Sequence, residues 1–306
     1  MGEQEDKKGW ISDQACLCIG KTCNLYCVYC HNPPNGSSMD RKKTVESVRR
    51  RGIKAVGLEG GGEPTTAPDF FEWIKELREA GVTSFMLSTN GLTCSDEKFC
   101  AEALDNIDYF TVNFPSHIKE VYQKVTRSVK YDTAVAGLRN LKRLGGEEKV
   151  RIFHIISSEN YKYLPAFSDW VIENFPRVGL INFTFVRNKG RALKVSGIVP
   201  RYGKAALFIE LALLKLKKRG IKAVIQNMPL CQIPKFEGFS FEFHRWRRGD
   251  KVLEDGIPDS AKLDVCSGCS LAAGCCGARP DYILVHGSGE LKASDTDLND
   301  IRPERF

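Results

Sequence analysis

The chain lacks any long apolar run: its most hydrophobic stretch, 205–216, is interrupted by Glu210 and Lys215, so no membrane span is expected. The opening MGEQEDKKGW is too charged for the core of an export signal. Repeats and low-complexity tracts are absent. With 42% hydrophobic and 27% charged residues, disorder, collagen and coiled coil are excluded. These absences predict a cytoplasmic globular protein of 306 residues, with one large domain and a small one. Forty-five Lys and Arg against 38 Asp and Glu give a formal charge of +7, a mild bias toward anionic partners that many enzymes share.

Cysteine is what the chain has in excess. Twelve thiols without an export signal point to metal ligands or redox groups rather than disulfides. Cys16, Cys18, Cys23, Cys27 and Cys30 crowd the front, while Cys266, Cys269, Cys275 and Cys276 crowd the back. Only Cys94, Cys100 and Cys231 lie between. Two clusters predict two metal sites.

Short β-rich runs alternate with helical periodicity. A first strand near 14–19 is followed by AVGLE (55–59), SFMLS (84–88), YFTVN (109–113), VRIFHII (150–156) and LINFTFV (180–186), giving six βα units by about residue 220. Pro68 opens a helix that Gly81 closes, Ser95 is placed to cap the next, and Leu207, Leu211 and Leu214 form one apolar stripe. Such order implies a parallel sheet covered by helices, either doubly wound or a complete or partial barrel, with function at the strand C-terminal ends. After residue 225 the pattern breaks into a loop-rich segment that needs a metal staple.

Cys23, Cys27 and Cys30 read C-x3-C-x2-C on the loop leaving strand one. Three thiolates leave one iron of a 4Fe-4S cube open to an outside ligand. The competing reading is structural zinc with His31 as fourth ligand, although adjacent residues rarely hold one ion comfortably. The triplet, with Tyr29 before its last cysteine, resembles the radical S-adenosylmethionine (radical SAM) enzymes. Gly61-Gly62-Glu63-Pro64 resembles that superfamily's motif for the methionine amino group, and Ser88-Thr89-Asn90-Gly91 its ribose-contacting segment. On its own GGGEP reads equally as a tight βα turn, and STNG as an Asn-Gly loop.

The resemblance covers residues 14–220 and implies an α/β fold, a partial (β/α)6 TIM-type barrel with a small C-terminal metal-cluster domain. It divides the chain into an N-terminal extension (1–13), a barrel (14–225) and an auxiliary cluster domain with a tail (226–306). It implies a catalytic 4Fe-4S cluster and S-adenosyl-L-methionine, reductive cleavage to a 5'-deoxyadenosyl radical, and hydrogen abstraction from substrate. An electron donor such as ferredoxin or flavodoxin is implied as a partner. Asn113 and Ser157, at the ends of strands four and five, are expected near S-adenosylmethionine or substrate. Cys231, Cys266, Cys269 and Cys275 resemble the ligands of a second, auxiliary 4Fe-4S cluster in a twitch domain, with Cys276 as a substitute for Cys275 and zinc as the alternative metal.

Other residues have plain explanations. Cys16 and Cys18 are expected as small buried residues of strand one, Cys94 and Cys100 as packing groups near the third helix, and His154 as a core histidine ungrouped with His117, His244 or His286. HRWRRGDK (244–251) is placed either to stack on nucleic acid or to cover the small domain. The polar end from Ser294 reads as a surface tail. A peptide or protein undergoing modification is the leading substrate, although fewer than fifteen residues precede the barrel, too few for a leader-binding domain. RNA nucleosides, a small metabolite, and a non-catalytic zinc or iron–sulfur module are the rivals.

Overall fold

The computed structural model describes residues 15–249 and 262–304. The expected extension 1–13 and the end of the basic segment, Asp250 and Lys251, lie outside them. Seven parallel strands stand in sequence order: β1 (Ala15–Leu17), β2 (Ala55–Leu58), β3 (Ser84–Thr89), β4 (Tyr109–Asn113), β5 (Val150–Ile156), β6 (Leu180–Phe185) and β7 (Ala223–Gln226). β1 and β7 do not pair, so the sheet is an open barrel wall. The six expected strands are present, and β7 is a seventh, pairing Ile181 with Ala223 and Thr184 with Gln226.

The helices are α1 (Arg41–Arg51), α2 (Phe70–Glu79), α3 (Glu97–Asn106), α4 (Lys119–Thr126), α5 (Tyr131–Arg143), α6 (Leu164–Asn174), α7 (Tyr202–Lys218), α8 (Phe241–Arg247) and α9 (Pro280–His286). Asp40 caps α1 by accepting from Lys43 N at 3.0 Å. Asp96 caps α3, its side chain accepting from Phe99 N at 2.8 Å, so the expected cap at Ser95 shifts by one residue. α2 buries Phe70, Trp73, Ile74 and Leu77, each contributing about 1.5–3 kcal/mol of apolar burial.

Alternation along the strands separates two faces. Val56, Leu87, Phe110, Val112, Ile152 and Ile156 are fully buried under the helices. The inner face carries Thr111, Asn113, Arg151, Phe153, Asn182 and Gln226, all half-buried, and register aligns Asn113, Phe153 and Asn182 in one layer. Polar groups therefore line the inside of a wall whose outside is hydrocarbon.

Several expectations change. Cys16 is exposed and Cys18 half-buried, because residues two apart on a strand share a face and β1 is the sheet edge. Leu207, Leu211 and Leu214 are exposed, while Tyr202, Ala205, Ile209, Ala212, Leu213 and Leu216 face the core. α7 is apolar around most of its circumference, so stripe periodicity chose the wrong side. The C-terminal end is no loose tail: Leu298 and Ile301 are buried, and Phe239, Phe243, Leu271 and Tyr282 join the barrel core. Trp246 stacks on Phe243 with centroids 5.8 Å apart, which commits its ring to packing. Cys94 and Cys100 are fully buried, as expected.

His154 is buried against Phe167 at 4.3 Å, and His117 packs on the same ring at 5.9 Å, so these two histidines are neighbours after all. His154 is the expected core histidine, its ring neutral and enclosed, with the Phe114 backbone as its polar neighbour. Burial drives its pKa down to about 3.

Candidate functional site

The first cysteine loop leaves β1 and is held from below by α4. Tyr26 N donates to Thr126 O at 3.0 Å and Val28 N to Val125 O at 2.8 Å, while Cys30 N closes a turn onto Cys27 O at 3.2 Å. Tyr29 is buried, and its hydroxyl donates to Asn113 Oδ1 at 3.2 Å, tying the loop to the end of β4. Burial pushes all three thiols upward, Cys27 to about 12, while the Arg191 guanidinium acts on each in the opposite sense. Thiols buried in this way are poor thiolates until a cation is bound among them.

The second and third motifs meet this loop. Gly61 has φ +66, and a Cβ on Gly62 would stand 2.4 Å from Thr22 O, so only glycine lets the turn lie against the cysteine loop. Glu63 N donates to Thr22 O at 2.8 Å. The Glu63 carboxylate is buried. Its Oε1 accepts from Thr89 Oγ1 at 2.6 Å and Thr65 Oγ1 at 2.8 Å, and its Oε2 from Asn90 N at 2.8 Å. Asn90 Nδ2 in turn donates to Asn24 Oδ1 at 2.6 Å and points at Cys23 Sγ, 3.9 Å away. Three sequence motifs thus close into one hydrogen-bonded network around Glu63. Burial raises the pKa of Glu63 while its donors lower it. Thr65 was not singled out by sequence and Thr89 was named only within the STNG segment, because nothing local to either shows that it meets the Glu63 carboxylate.

A second structure missed from sequence is the 3-10 turn Gly190–Lys194 after β6. A Cβ on Gly190 would lie 2.5 Å from Cys30 O, and Arg191 N donates to that oxygen at 2.9 Å. The Arg191 guanidinium covers the Tyr26 ring at 3.7 Å.

The remaining expected residues divide. Ser88 is half-buried on the same strand face as Met86, and Asn113 carries the Tyr29 contact. Ser157 is fully buried, with its N and Oγ both bonded to Asn160 Oδ1 at 2.7 and 3.2 Å, a turn that no contact joins to the thiols.

The second thiol group is brought together by segments far apart in sequence. Cys231, Cys266, Cys269 and Cys275 line one cavity with Lys262 and Lys292, whereas the Cys276 thiol is buried and donates to Gly277 O at 3.3 Å. Amide donors point at the sulfurs: Leu230 N and Gly277 N reach Cys275 Sγ at 3.3 Å each, Ser294 N reaches Cys269 Sγ at 3.4 Å, and Gln232 Nε2 reaches Cys231 Sγ at 3.5 Å. Cys275 is lowered to about 7, chiefly by the Cys276 thiol and, against the opposing effect of burial, by the Leu230 and Gly277 amides. N–H donors of this kind stabilise sulfur that carries negative charge, the condition of a metal-bound thiolate. Among the described residues no three His, Cys, Asp or Glu side chains form a ready single-ion site.

An open parallel α/β barrel with its glycine-rich turns, thiol loop and polar lining at the strand C-terminal ends is a catalytic architecture. The Radical SAM superfamily model matches residues 17–171, half of the chain, and the chain belongs to that superfamily. Members of that superfamily are enzymes whose cofactors are a 4Fe-4S cluster and S-adenosylmethionine. A probable GTP 3',8-cyclase of Methanocaldococcus jannaschii is 26% identical over 144 residues, covering 44% of this chain and 47% of the relative. The mycofactocin maturase MftC of Mycobacterium tuberculosis is 30% identical over 154 residues, covering 48% and 38%. The chain spans about half the length of the curated relatives it matches. Among solved structures, anSMEcpe with bound AdoMet and a peptide shares the fold at a TM-score of 0.59 and 16% identity, covering 85% of this chain and 70% of that one. Streptococcus suis SuiB gives 0.53 and 15%, covering 70% and 49%. Among the described residues no helix is long and apolar enough to cross a membrane.

Proposed function

We propose that this radical SAM enzyme acts on a peptide or protein, with Cys23, Cys27 and Cys30 holding the catalytic 4Fe-4S cluster. The observation that carries the site assignment is the Glu63 network, which joins GGGEP and STNG to the cysteine loop through Thr22, Asn90 and Cys23. When bound, the cluster and S-adenosylmethionine supply one-electron cleavage of a C–S bond and hence a carbon-centred radical. The protein's part is to bind, orient and exclude water.

Because Thr65, Thr89 and Asn90 already engage the Glu63 carboxylate, its role is to fix two loops, and the carbonyls of Gly61 and Gly62 receive the methionine ammonium. Ser88 and Asn90 would contact the ribose of S-adenosylmethionine, and Asn113, held by Tyr29 on the inner face, would contact adenine or substrate. Cys231, Cys266, Cys269 and Cys275 hold an auxiliary 4Fe-4S cluster in a twitch-like segment spanning 226–306. The amides aimed at their sulfurs support this, and so does the shared cavity; zinc is the alternative occupant.

The peptide reading is supported by similarity to the maturase MftC and by likeness in fold to a radical SAM structure with a bound peptide. Similarity to the GTP 3',8-cyclases favours a nucleotide as the second reading. Trp246, packed on Phe243, gives no support to RNA stacking. Anaerobically reconstituted protein, reduced with dithionite in the presence of S-adenosylmethionine, should release 5'-deoxyadenosine. A peptide that raises this release and gains or loses mass supports the proposal; stimulation by GTP alone transfers it to the nucleotide reading.

A further inference from the structure

A polar atom without a partner lies beside the first cysteine loop. Tyr122 is on the buried face of α4 with Val125 and Thr126, the residues whose carbonyls hold the loop at Val28 and Tyr26. Its side chain is fully buried, and its hydroxyl makes no hydrogen bond among the described residues. Phe114 and Tyr131 pack on the ring, with centroids 5.7 and 5.5 Å away, and fix its position.

The hydroxyl is close to the thiols. Burial raises its pKa, and the negative charges of Cys27 and then Cys23 raise it further, so both sulfurs stand within electrostatic reach of the oxygen. Tyr29 is the other phenol beside Cys27, but its one proton is committed to Asn113 Oδ1 at 3.2 Å. The Thr126 hydroxyl is likewise committed, to the carbonyl of Tyr122 itself at 2.7 Å. Of these three hydroxyls only that of Tyr122 still has a proton to give. Phenylalanine would fill the same space without burying an unpaired donor, so the hydroxyl calls for an acceptor that the bare thiol loop lacks.

We propose that the Tyr122 hydroxyl donates a hydrogen bond to the Cys27 sulfur once the first centre is filled, and so raises the reduction potential of that centre. This rests on the reading of Cys23, Cys27 and Cys30 as ligands of a 4Fe-4S cluster. Reduction adds one electron, and hence one negative charge, to the iron and sulfur, with no bond broken in the protein. An O–H dipole aimed at sulfur favours the more negative form, and its enclosed setting strengthens the effect. Tyr122 thus tunes the centre without being a ligand to it.

The test is a potentiometric titration of the reconstituted full chain followed by electron paramagnetic resonance, comparing wild type, Tyr122→Phe and a control, Tyr131→Phe. Tyr131 packs on the same ring, but its hydroxyl donates to His117 O at 2.6 Å. The front centre is the 4Fe-4S signal whose g-values move when S-adenosylmethionine is added to a parallel sample. Tyr122→Phe should make reduction of that centre about tenfold less favourable, a shift of about 59 mV to more negative potential. Tyr131→Phe should leave the equilibrium within about twofold of wild type. Metal-free Tyr122→Phe protein should melt no lower than wild type, because the bond it loses forms only in the filled state. An unchanged potential in Tyr122→Phe, an equal shift in Tyr131→Phe, or a destabilised metal-free Tyr122→Phe would overturn the role of the hydroxyl and leave the cluster reading in place. A wild-type protein with no 4Fe-4S signal responsive to S-adenosylmethionine would instead overturn the cluster reading, and the hydroxyl's role with it.

Discussion

The two thiol groups differ in how the chain builds them. The front group occupies eight consecutive residues of one loop, and its surroundings are two βα turns, a glycine cradle and the cation Arg191. The back group draws four sulfurs from Cys231 to Cys275 around one cavity, with backbone amides directed at two of them and a side-chain amide at a third. On this account three sulfurs leave a coordination position that a substrate-like cofactor fills, whereas four close a centre that holds segments together or relays electrons. The number of thiols separates chemistry from support.

Removing one front ligand is the strongest way to break that comparison. Cys27→Ser should reduce 5'-deoxyadenosine formation to background, and iron should fall from about eight to about four per chain. Retained cleavage would mean that the front loop is not the catalytic centre. Cys266→Ser/Cys269→Ser should remove a similar amount of iron yet leave S-adenosylmethionine cleavage in place, while lowering the thermal midpoint of a segment short of other staples. Loss of all cleavage in that variant would erase the distinction.

Gly62→Ala sharpens it further. With Thr22 O only 2.4 Å from the new Cβ, the turn must move off the cysteine loop. S-adenosylmethionine affinity should drop at least about tenfold, with iron content retained, as isothermal titration can show. Glu63→Ala leaves the donors of Thr65, Thr89 and Asn90 without their acceptor, and denaturant unfolding should register a loss of about 2–4 kcal/mol.

The last effect is a pH dependence that involves neither thiol group. His154 has a folded pKa depressed from 6.5 to about 3, so its contribution is present above pH 6.5 and is lost as pH falls toward 3. Within that window the unfolded chain binds one more proton, and stability should fall by about 1.4 kcal/mol per pH unit from this residue. His154→Leu should flatten the dependence by that amount in urea titrations at pH 7 and 5. An unchanged slope would place the acid sensitivity elsewhere.

Much of this could be read from the sequence, for identifiable reasons. β4 and β5 coincide with the expected 109–113 and 150–156, because every second residue turns under the helices and the β-rich, period-two pattern stands out. The order of cysteine loop, GGGEP and STNG after β1, β2 and β3 was also legible, since each lies at a strand-to-helix turn. Contacts made between loops were not. Nothing local in GRALK indicates that Gly190 rests on Cys30, nor does spacing reveal that Thr89 and Thr65 share the Glu63 carboxylate. On α7, leucines and alanines occupy several faces, so only tertiary packing determines that Ile209 and Leu213 turn inward and Leu207 outward. The same limit hid the meeting of His117 and His154 on the Phe167 ring, which only the fold brings about.

The central claim is that the front centre keeps a coordination position open for S-adenosylmethionine. Electron paramagnetic resonance of dithionite-reduced Cys266→Ser/Cys269→Ser protein isolates that centre. Adding S-adenosylmethionine should shift the g-values of a reduced 4Fe-4S signal; a signal indifferent to the addition, or zinc in place of iron, would contradict the account.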